Sequence, residues 1–294
     1  MSSLDGKVAI VTGAGAGLGR AEALELARNG ADVVVNDVSE TAHEVVAEIE
    51  RIGTKAAAVV GDVSSREIAD EMVETAVSRF GGLHVLVNNA GLLRDRMLFK
   101  MSDAEWDEVL AVHLRGHFLL SRNATAHWRA QHKETGATYG SIINTASEAF
   151  LLGSAGQPNY AAAKGGIAAL TVSTARAAAR MGVRANAICP RARTGMTAET
   201  FGEAPTGGVD PLSVEHVAPL VAYLAAPGAQ AISGQIFVVH SGVVALLAPP
   251  TVEQRFETAG PLWTQQELEE GLGGYFADRD PDRTFAATDV LSIP

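Results

Sequence analysis

A chain of 294 residues, 47% hydrophobic and with 30 glycines, carries enough apolar material for one large α/β domain with many tight turns, which excludes a disordered protein. Its formal net charge of -11 argues against nucleic acid or an anionic membrane as partner, since both are held mainly by Lys and Arg. One cysteine, Cys189, allows no internal disulfide and no metal-ligand pair, so no metal is expected; with no apolar signal core and no run of the roughly 20 apolar residues that a membrane span needs, the expected location is the cytoplasm.

In chain order, short β-branched runs alternate with longer amphipathic segments, the pattern of βαβ units. Seven strands are predicted: Lys7–Val11, Asp32–Asn36, Ala56–Val60, Val85–Asn88, Ser141–Thr145, Arg184–Ile188 and Gln235–Val239. Each is apolar on both faces, as buried parallel strands are. Helices are predicted at Leu18–Asn29, Ala42–Ile52, Arg66–Arg79, Ala104–Arg129, Asn159–Met181 and Val214–Ala225. The polar stretch Gln131–Tyr139 reads as an exposed loop, and Thr194–Pro211, rich in Gly, Pro and Thr, as a mobile lid. Residues 1–248 form one domain on this reading, and 249–294 an extension in which Thr264-Gln-Gln-Glu267 is a helix-starting capping box.

The first strand runs into Thr12-Gly13-Ala-Gly15-Ala16-Gly17-Leu18-Gly19, a turn that lets backbone approach a pyrophosphate at a helix N-terminus. About 20 residues on, Asp37 ends the second strand, where a carboxylate accepts hydrogen bonds from an adenosine ribose. The same carboxylate repels a 2′-phosphate, and neither Ala16 nor a neighbour of Asp37 supplies an offsetting cation, so the expected cofactor is NAD. Asp62 with Val63, and Asn88-Asn89-Ala90-Gly91, follow the third and fourth strands, at the sheet end where open α/β folds bind ligands. The expected fold is therefore a Rossmann-type doubly wound parallel sheet of about seven strands.

Ser147 follows the fifth strand, and Tyr160 and Lys164 lie four apart on one face of the next helix. A phenol ionises near pH 10, so it becomes a usable base only beside positive charge, which Lys164 and an oxidised nicotinamide would provide. Tyr160 would then move the proton of a substrate hydroxyl while Ser147 holds its oxygen.

Together these motifs, ending in Tyr160-Ala-Ala-Ala-Lys164, resemble the short-chain dehydrogenase/reductase family over roughly residues 5 to 245. The resemblance implies strand order 3-2-1-4-5-6-7, a nicotinamide cofactor, and a homodimer or homotetramer built on the helices around Ala104–Arg129 and Asn159–Met181. Val33-Val-Val-Asn-Asp37, Leu93-Arg-Asp-Arg96, Val112-His-Leu-Arg-Gly116, Met196-Thr197 and Val217-Ala-Pro-Leu-Val221 are closer to the (3R)-hydroxyacyl-CoA dehydrogenase part of multifunctional β-oxidation enzymes. On that branch the substrate is an acyl-CoA, oxidised from the 3-hydroxy to the 3-oxo form.

His113 stands where most of the family carries a relay Asn, and it reads either as a relay residue or as a satisfied core imidazole. Pro190-Arg191 replaces the usual Pro-Gly, and Thr194 aligns with the residue that binds the nicotinamide amide. Arg94, Arg96, Arg191 and Arg193 are the candidates for CoA phosphates, some of which are expected to make that contact. The same catalytic residues would serve a secondary-alcohol dehydrogenase for a sterol, terpenoid or sugar, and a non-catalytic NAD-binding protein is the third reading.

Overall fold

The computed structural model describes residues 3–197, 201–280 and 283–293. Eight strands form one sheet: β1 Val8–Thr12, β2 Asp32–Asp37, β3 Ala56–Val60, β4 Val85–Asn88, β5 Gly140–Thr145, β6 Val183–Pro190, β7 Ile236–His240 and β8 Val243–Leu246. Their order is β3-β2-β1-β4-β5-β6-β7-β8. All neighbours are parallel except β7 and β8, which pair antiparallel. From β1 the chain winds outward first one way and then the other, so a crevice opens between the carboxyl ends of β1 and β4.

Alternate residues of each strand feed opposite faces. On one face Ala9, Val11, Val33 and Val35 pack under α1 (Gly17–Arg28), α2 (Thr41–Ile52) and α8 (Ala218–Ala225). On the other, Val8, Ile10, Val34 and Leu86 pack under α3 (Arg66–Phe80), α5 (Gly116–Thr135) and the end of α7 (Pro158–Ala178). Trp128 on α5 is fully buried, and its indole N–H donates to the Leu83 carbonyl at 2.7 Å, which satisfies its only polar atom.

Three expectations need correction. The helix expected over Ala104–Arg129 is α4 (Asp103–Leu110), a π-helical turn (Ala111–Arg115) and then α5. That last helix runs on to Thr135, so most of the polar stretch from Gln131 is the exposed end of a helix rather than a loop. Val214–Ala225 is likewise a 3-10 turn, Val214–His216, followed by α8, whose Pro219 fits the amide-free first turn. Part of the expected lid, residues 198–200, lies outside the described residues.

Beyond β8, Thr264 caps α9 (Gln265–Leu268) in a reciprocal box with Glu267, and α10 (Gly274–Ala277) follows. The end of the chain folds back beside the short helix α6 (Ala149–Leu152), where Ala287 N–H donates to the Leu151 carbonyl at 2.9 Å. Val290 is buried there among Ala146, Ile167, Cys189 and Val238. No helix of the described residues is long and apolar enough to cross a membrane.

Candidate active site

The crevice at the switch point opens into a cavity of about 610 Å³. Its walls at one end are the turns after β1, β2 and β3. Gly13 has φ +61°, and a Cβ there would sit 2.8 Å from the Ala90 Cα, so only glycine lets the β1 and β4 ends meet. They are laced together: Asn89 and Ala90 N–H both donate to Thr12 Oγ1 (2.9 and 3.0 Å), and the Asn89 amide donates to the Thr12 carbonyl at 3.0 Å. Ala16 begins α1 with no side-chain cap and no acidic residue in the first turn. Its first amides and the positive end of the helix dipole therefore face the cavity lined by Ala16, Gly17 and Leu18. Gly19 is not in the cavity wall; a side chain on it would overlap the Gly13 carbonyl, so it serves close packing of α1 on the turn.

Asp37 projects into the same end, one carboxylate oxygen accepting from Gly15 N–H at 2.9 Å and the other from Ser39 N–H at 3.0 Å. Arg20, on the first turn of α1, is paired with Glu48 and leaves Asp37 its charge. Asp62, Val63, Asn89, Ala90 and Gly91 complete this part of the lining. Uncapped helix amides, a carboxylate at the end of β2 and backbone held open by glycine are a set of groups that fits a dinucleotide.

At the other end Ser147, Tyr160, Lys164 and His113 converge. The Ser147 hydroxyl lies near enough to the Tyr160 phenol to hold its pKa down. Lys164, fully buried, donates to the Thr145 carbonyl at 2.6 Å, with its Nζ 5.3 Å from the Tyr160 ring centre. Asn159, which sequence reasoning passed over, fixes the start of α7: its amide donates to the Arg94 and Glu105 carbonyls and its oxygen accepts from Tyr160 N–H at 2.8 Å. Its position beside Pro158 at a helix start was the available signal.

Burial dominates the electrostatics. It pushes the Tyr160 phenol up to about 12, opposed by the Ser147 hydroxyl, and pulls Lys164 down to about 7. His113 lies in the π-helical turn, edge-on to Tyr160 with ring centres 5.2 Å apart. Burial, then the charge of Lys164, lowers it to about 3, so its imidazole is neutral. Its Nε2 lies 2.8 Å from the Leu92 carbonyl and 3.0 Å from the Leu92 N–H, while its buried Nδ1 has no partner among the described residues, so it is only half satisfied as a core group.

Thr194 lines the cavity beyond Pro190, its N–H donating to Thr197 Oγ1 at 2.9 Å. The four arginine candidates for CoA phosphates are otherwise engaged. Arg94 pairs with Glu108, Arg96 with Glu105, Arg191 with Glu148 and Arg193 with Asp210, each at 2.7 to 2.9 Å. Every guanidinium is thus neutralised by a carboxylate from another segment, which the sequence alone could not pair.

A family model described as short chain dehydrogenase matches residues 7–204. The chain is 56% identical to hydroxyacyl-CoA dehydrogenase ChsB1 of Mycobacterium tuberculosis (strain ATCC 25618 / H37Rv), over 99% of this chain and 95% of that protein. It is 41% identical to peroxisomal multifunctional enzyme type 2 of Mus musculus across 83% of this chain, which corresponds to 33% of that longer protein. The crystal structure of a short chain dehydrogenase from Mycobacterium avium superposes with a TM-score of 0.86 at 41% identity, covering 95% of this chain and 97% of the other.

Proposed function

The chain belongs to the short-chain dehydrogenase family and is an oxidoreductase acting on CH–OH groups, and on that premise we propose that it interconverts a (3R)-hydroxyacyl-CoA and its 3-oxoacyl-CoA with NAD. The observation that carries this reading is the convergence of Ser147, Tyr160, Lys164 and His113 in one cavity with Asp37 and the uncapped start of α1. The thioester class is supported by the 56% identity to a protein named as a hydroxyacyl-CoA dehydrogenase, sustained to the end of the chain.

Gly13, Ala16, Gly17 and Leu18 would hold the pyrophosphate, Asp37 the adenosine ribose, Asp62 and Val63 the adenine side, and Asn89, Ala90 and Gly91 the adenosine approach. Tyr160, Lys164 and Thr194 would hold the nicotinamide half. Bound there, NAD supplies the two-electron acceptor. In oxidation Ser147 donates a hydrogen bond to the substrate oxygen, and Tyr160 takes the hydroxyl proton at its phenolic oxygen. Lys164 lowers the cost of the phenolate when it is charged, offsetting the burial that holds Tyr160 near 12. The unpartnered Nδ1 of His113 is the atom that would hold a relay water beside them. A homodimer or homotetramer built on α5 and α7, working in the cytoplasm, completes the reading; the fully buried, free Cys189 fits a reducing compartment.

The test is formation of NADH against NADPH by purified protein with (3R)- and (3S)-hydroxyacyl-CoA esters and free secondary alcohols. Turnover of the (3R) thioesters with NAD is expected. Tyr160→Phe should lower it roughly 10²- to 10⁴-fold while leaving NAD affinity nearly intact. Turnover of free alcohols alone would make the protein a secondary-alcohol dehydrogenase, and preference for NADP would overturn the role given to Asp37.

A further inference from the structure

Arg191 occupies the turn immediately after β6, next to cavity-lining Pro190, and its side chain is only 18% exposed. Its guanidinium makes two contacts that belong to different parts of the molecule. Nε and Nη2 form a fork onto the two oxygens of Glu148, the residue after Ser147, at 2.7 and 2.8 Å. Nη2 and Nη1 also donate to the Val290 and Ile293 carbonyls at the end of the chain, at 2.7 and 3.2 Å. The backbone amide of Arg191 bonds the Val239 carbonyl of β7 at 3.0 Å, so the guanidinium is mounted on the sheet.

Around this fork the last residues are seated on the segment that starts at Ser147. Ala287 N–H bonds the Leu151 carbonyl, and Val290 and Ile293 pack with Ala146, Phe150, Leu151 and Leu152. Ser147 Oγ in turn accepts from Ala149 N–H at 3.2 Å, inside the same turn. A charge pair this enclosed is held in one geometry, because Glu148 is only 12% exposed and neither group can relax into water.

From these contacts we propose that Arg191 is a positioning residue, through which docking of the chain end at 287–293 holds the Ser147-bearing turn, residues 147–153, in register with Tyr160. Arg191 touches neither the cavity nor a reacting group; it acts through Glu148 on the turn and through two carbonyls on the chain end. Lysine in its place would keep a charge but lose the planar fork, so it would hold one partner at a time. The inference rests on the role given to Ser147 under the proposed function.

Three variants test it: Arg191→Ala, Arg191→Lys, and a chain ended after Ala286, which leaves the Arg191–Glu148 pair in place. Amide hydrogen exchange reads the turn directly, without reference to activity. Arg191→Ala and the shortened chain should each speed exchange of 147–153 by about tenfold or more while α1 and β1 stay protected. With a hydroxyacyl-CoA, both should lose kcat by up to roughly 100-fold, as misplacement of a holding group does, with NAD affinity unchanged. Combining the two should cost less than the sum of the separate losses, since both cut the link from Arg191 to the chain end. Arg191→Lys should regain part of the loss. Unchanged exchange at 147–153 in the shortened chain overturns the proposal, as does a rise spread evenly over the whole molecule. If wild type turns over no hydroxyacyl-CoA, the functional reading fails and the exchange result still decides the linkage.

Discussion

A buried lysine is an unfavourable thing to fold, and Lys164 shows what the catalytic arrangement costs. Its amine is enclosed between α7 and β5 with one carbonyl partner and no carboxylate paired to it, and burial pulls it from 10.5 down to about 7. A lysine whose folded value lies below its unfolded one destabilises the fold. The penalty is complete below about pH 7, where both states bind the proton, and it fades as pH rises toward 10.5 because only the unfolded state then binds it. Lys164→Met, which keeps an unbranched side chain one atom shorter and without its charge, should therefore be more stable than wild type at pH 6 by a few kcal/mol, in roughly the measure of the shift, and melt at a higher temperature. The advantage should shrink steadily between pH 7 and 10, while turnover is lost at every pH. Thermal melts of the two proteins across that range, without cofactor, measure it. A variant less stable than wild type at pH 6 would mean that Lys164 is better solvated than its surroundings indicate.

Among the elements, the α1 start bears most on the site, and it depends on a residue that never lines the cavity. Gly19 sits against the Gly13 carbonyl and the side-chain amide of Asn89, itself held by the Thr12 and Gly13 carbonyls, so Gly19→Ala drives a methyl into backbone and into a side chain that is pinned to it. The turn must move away, and the amides that α1 offers to a phosphate move with it. NADH affinity should fall at least tenfold, with a drop in melting temperature, and titration of NADH fluorescence would show it; unchanged affinity would mean the turn adapts at no cost. This turn, Asp37, and the Tyr160–Lys164 pair were all legible in sequence, because each rests on short-range spacing along one strand end or one helix face. So were the seven parallel strands, whose apolar runs are buried on both faces. The strand β8 was not, since Val243–Leu246 is four residues long, half exposed and attached to the sheet edge only by pairing with β7. The break in the helix carrying His113 was equally hidden: a π-helical turn adds a residue without altering composition. The arginine partners escaped for a further reason, since Glu148, Glu105 and Glu108 reach them across space from separate elements.

At the scale of the whole molecule, the two helical layers must be fastened to one sheet, and apolar contact does most of it without direction. Arg184 adds direction on the α8 side. It lies at the start of β6, 5% exposed, and its guanidinium donates to the Leu224, Ala229 and Ala226 carbonyls at 2.8, 3.2 and 3.3 Å. These are the last carbonyls of α8 and of the turn that follows; each accepts a second bond, Leu224 from Ser141 Oγ at 2.9 Å, Ala226 from Ala229 N–H at 3.1 Å and Ala229 from Ile232 N–H at 2.9 Å, and a cation there also meets the negative end of the helix dipole. Tyr139 closes the same corner, its phenol donating to the Ala225 carbonyl. The arginine is thus a buried charge held by carbonyls of α8 and its turn, and its removal takes one charged bond from each of them at once. Arg184→Met keeps an apolar stem but removes these charged bonds and leaves part of the space empty, at a cost of about 3 kcal/mol. For a domain of this size that lowers the melting temperature by roughly 6 to 12 °C. Because β6 carries the disturbance at its amino end and meets the cavity only at Pro190, at the far end of the same strand, kcat at 25 °C should stay within about twofold of wild type. A melt and an initial-rate assay on the same preparation separate the two effects. Loss of turnover in step with stability would show instead that the α8 layer and the reacting end of the cavity move as one body.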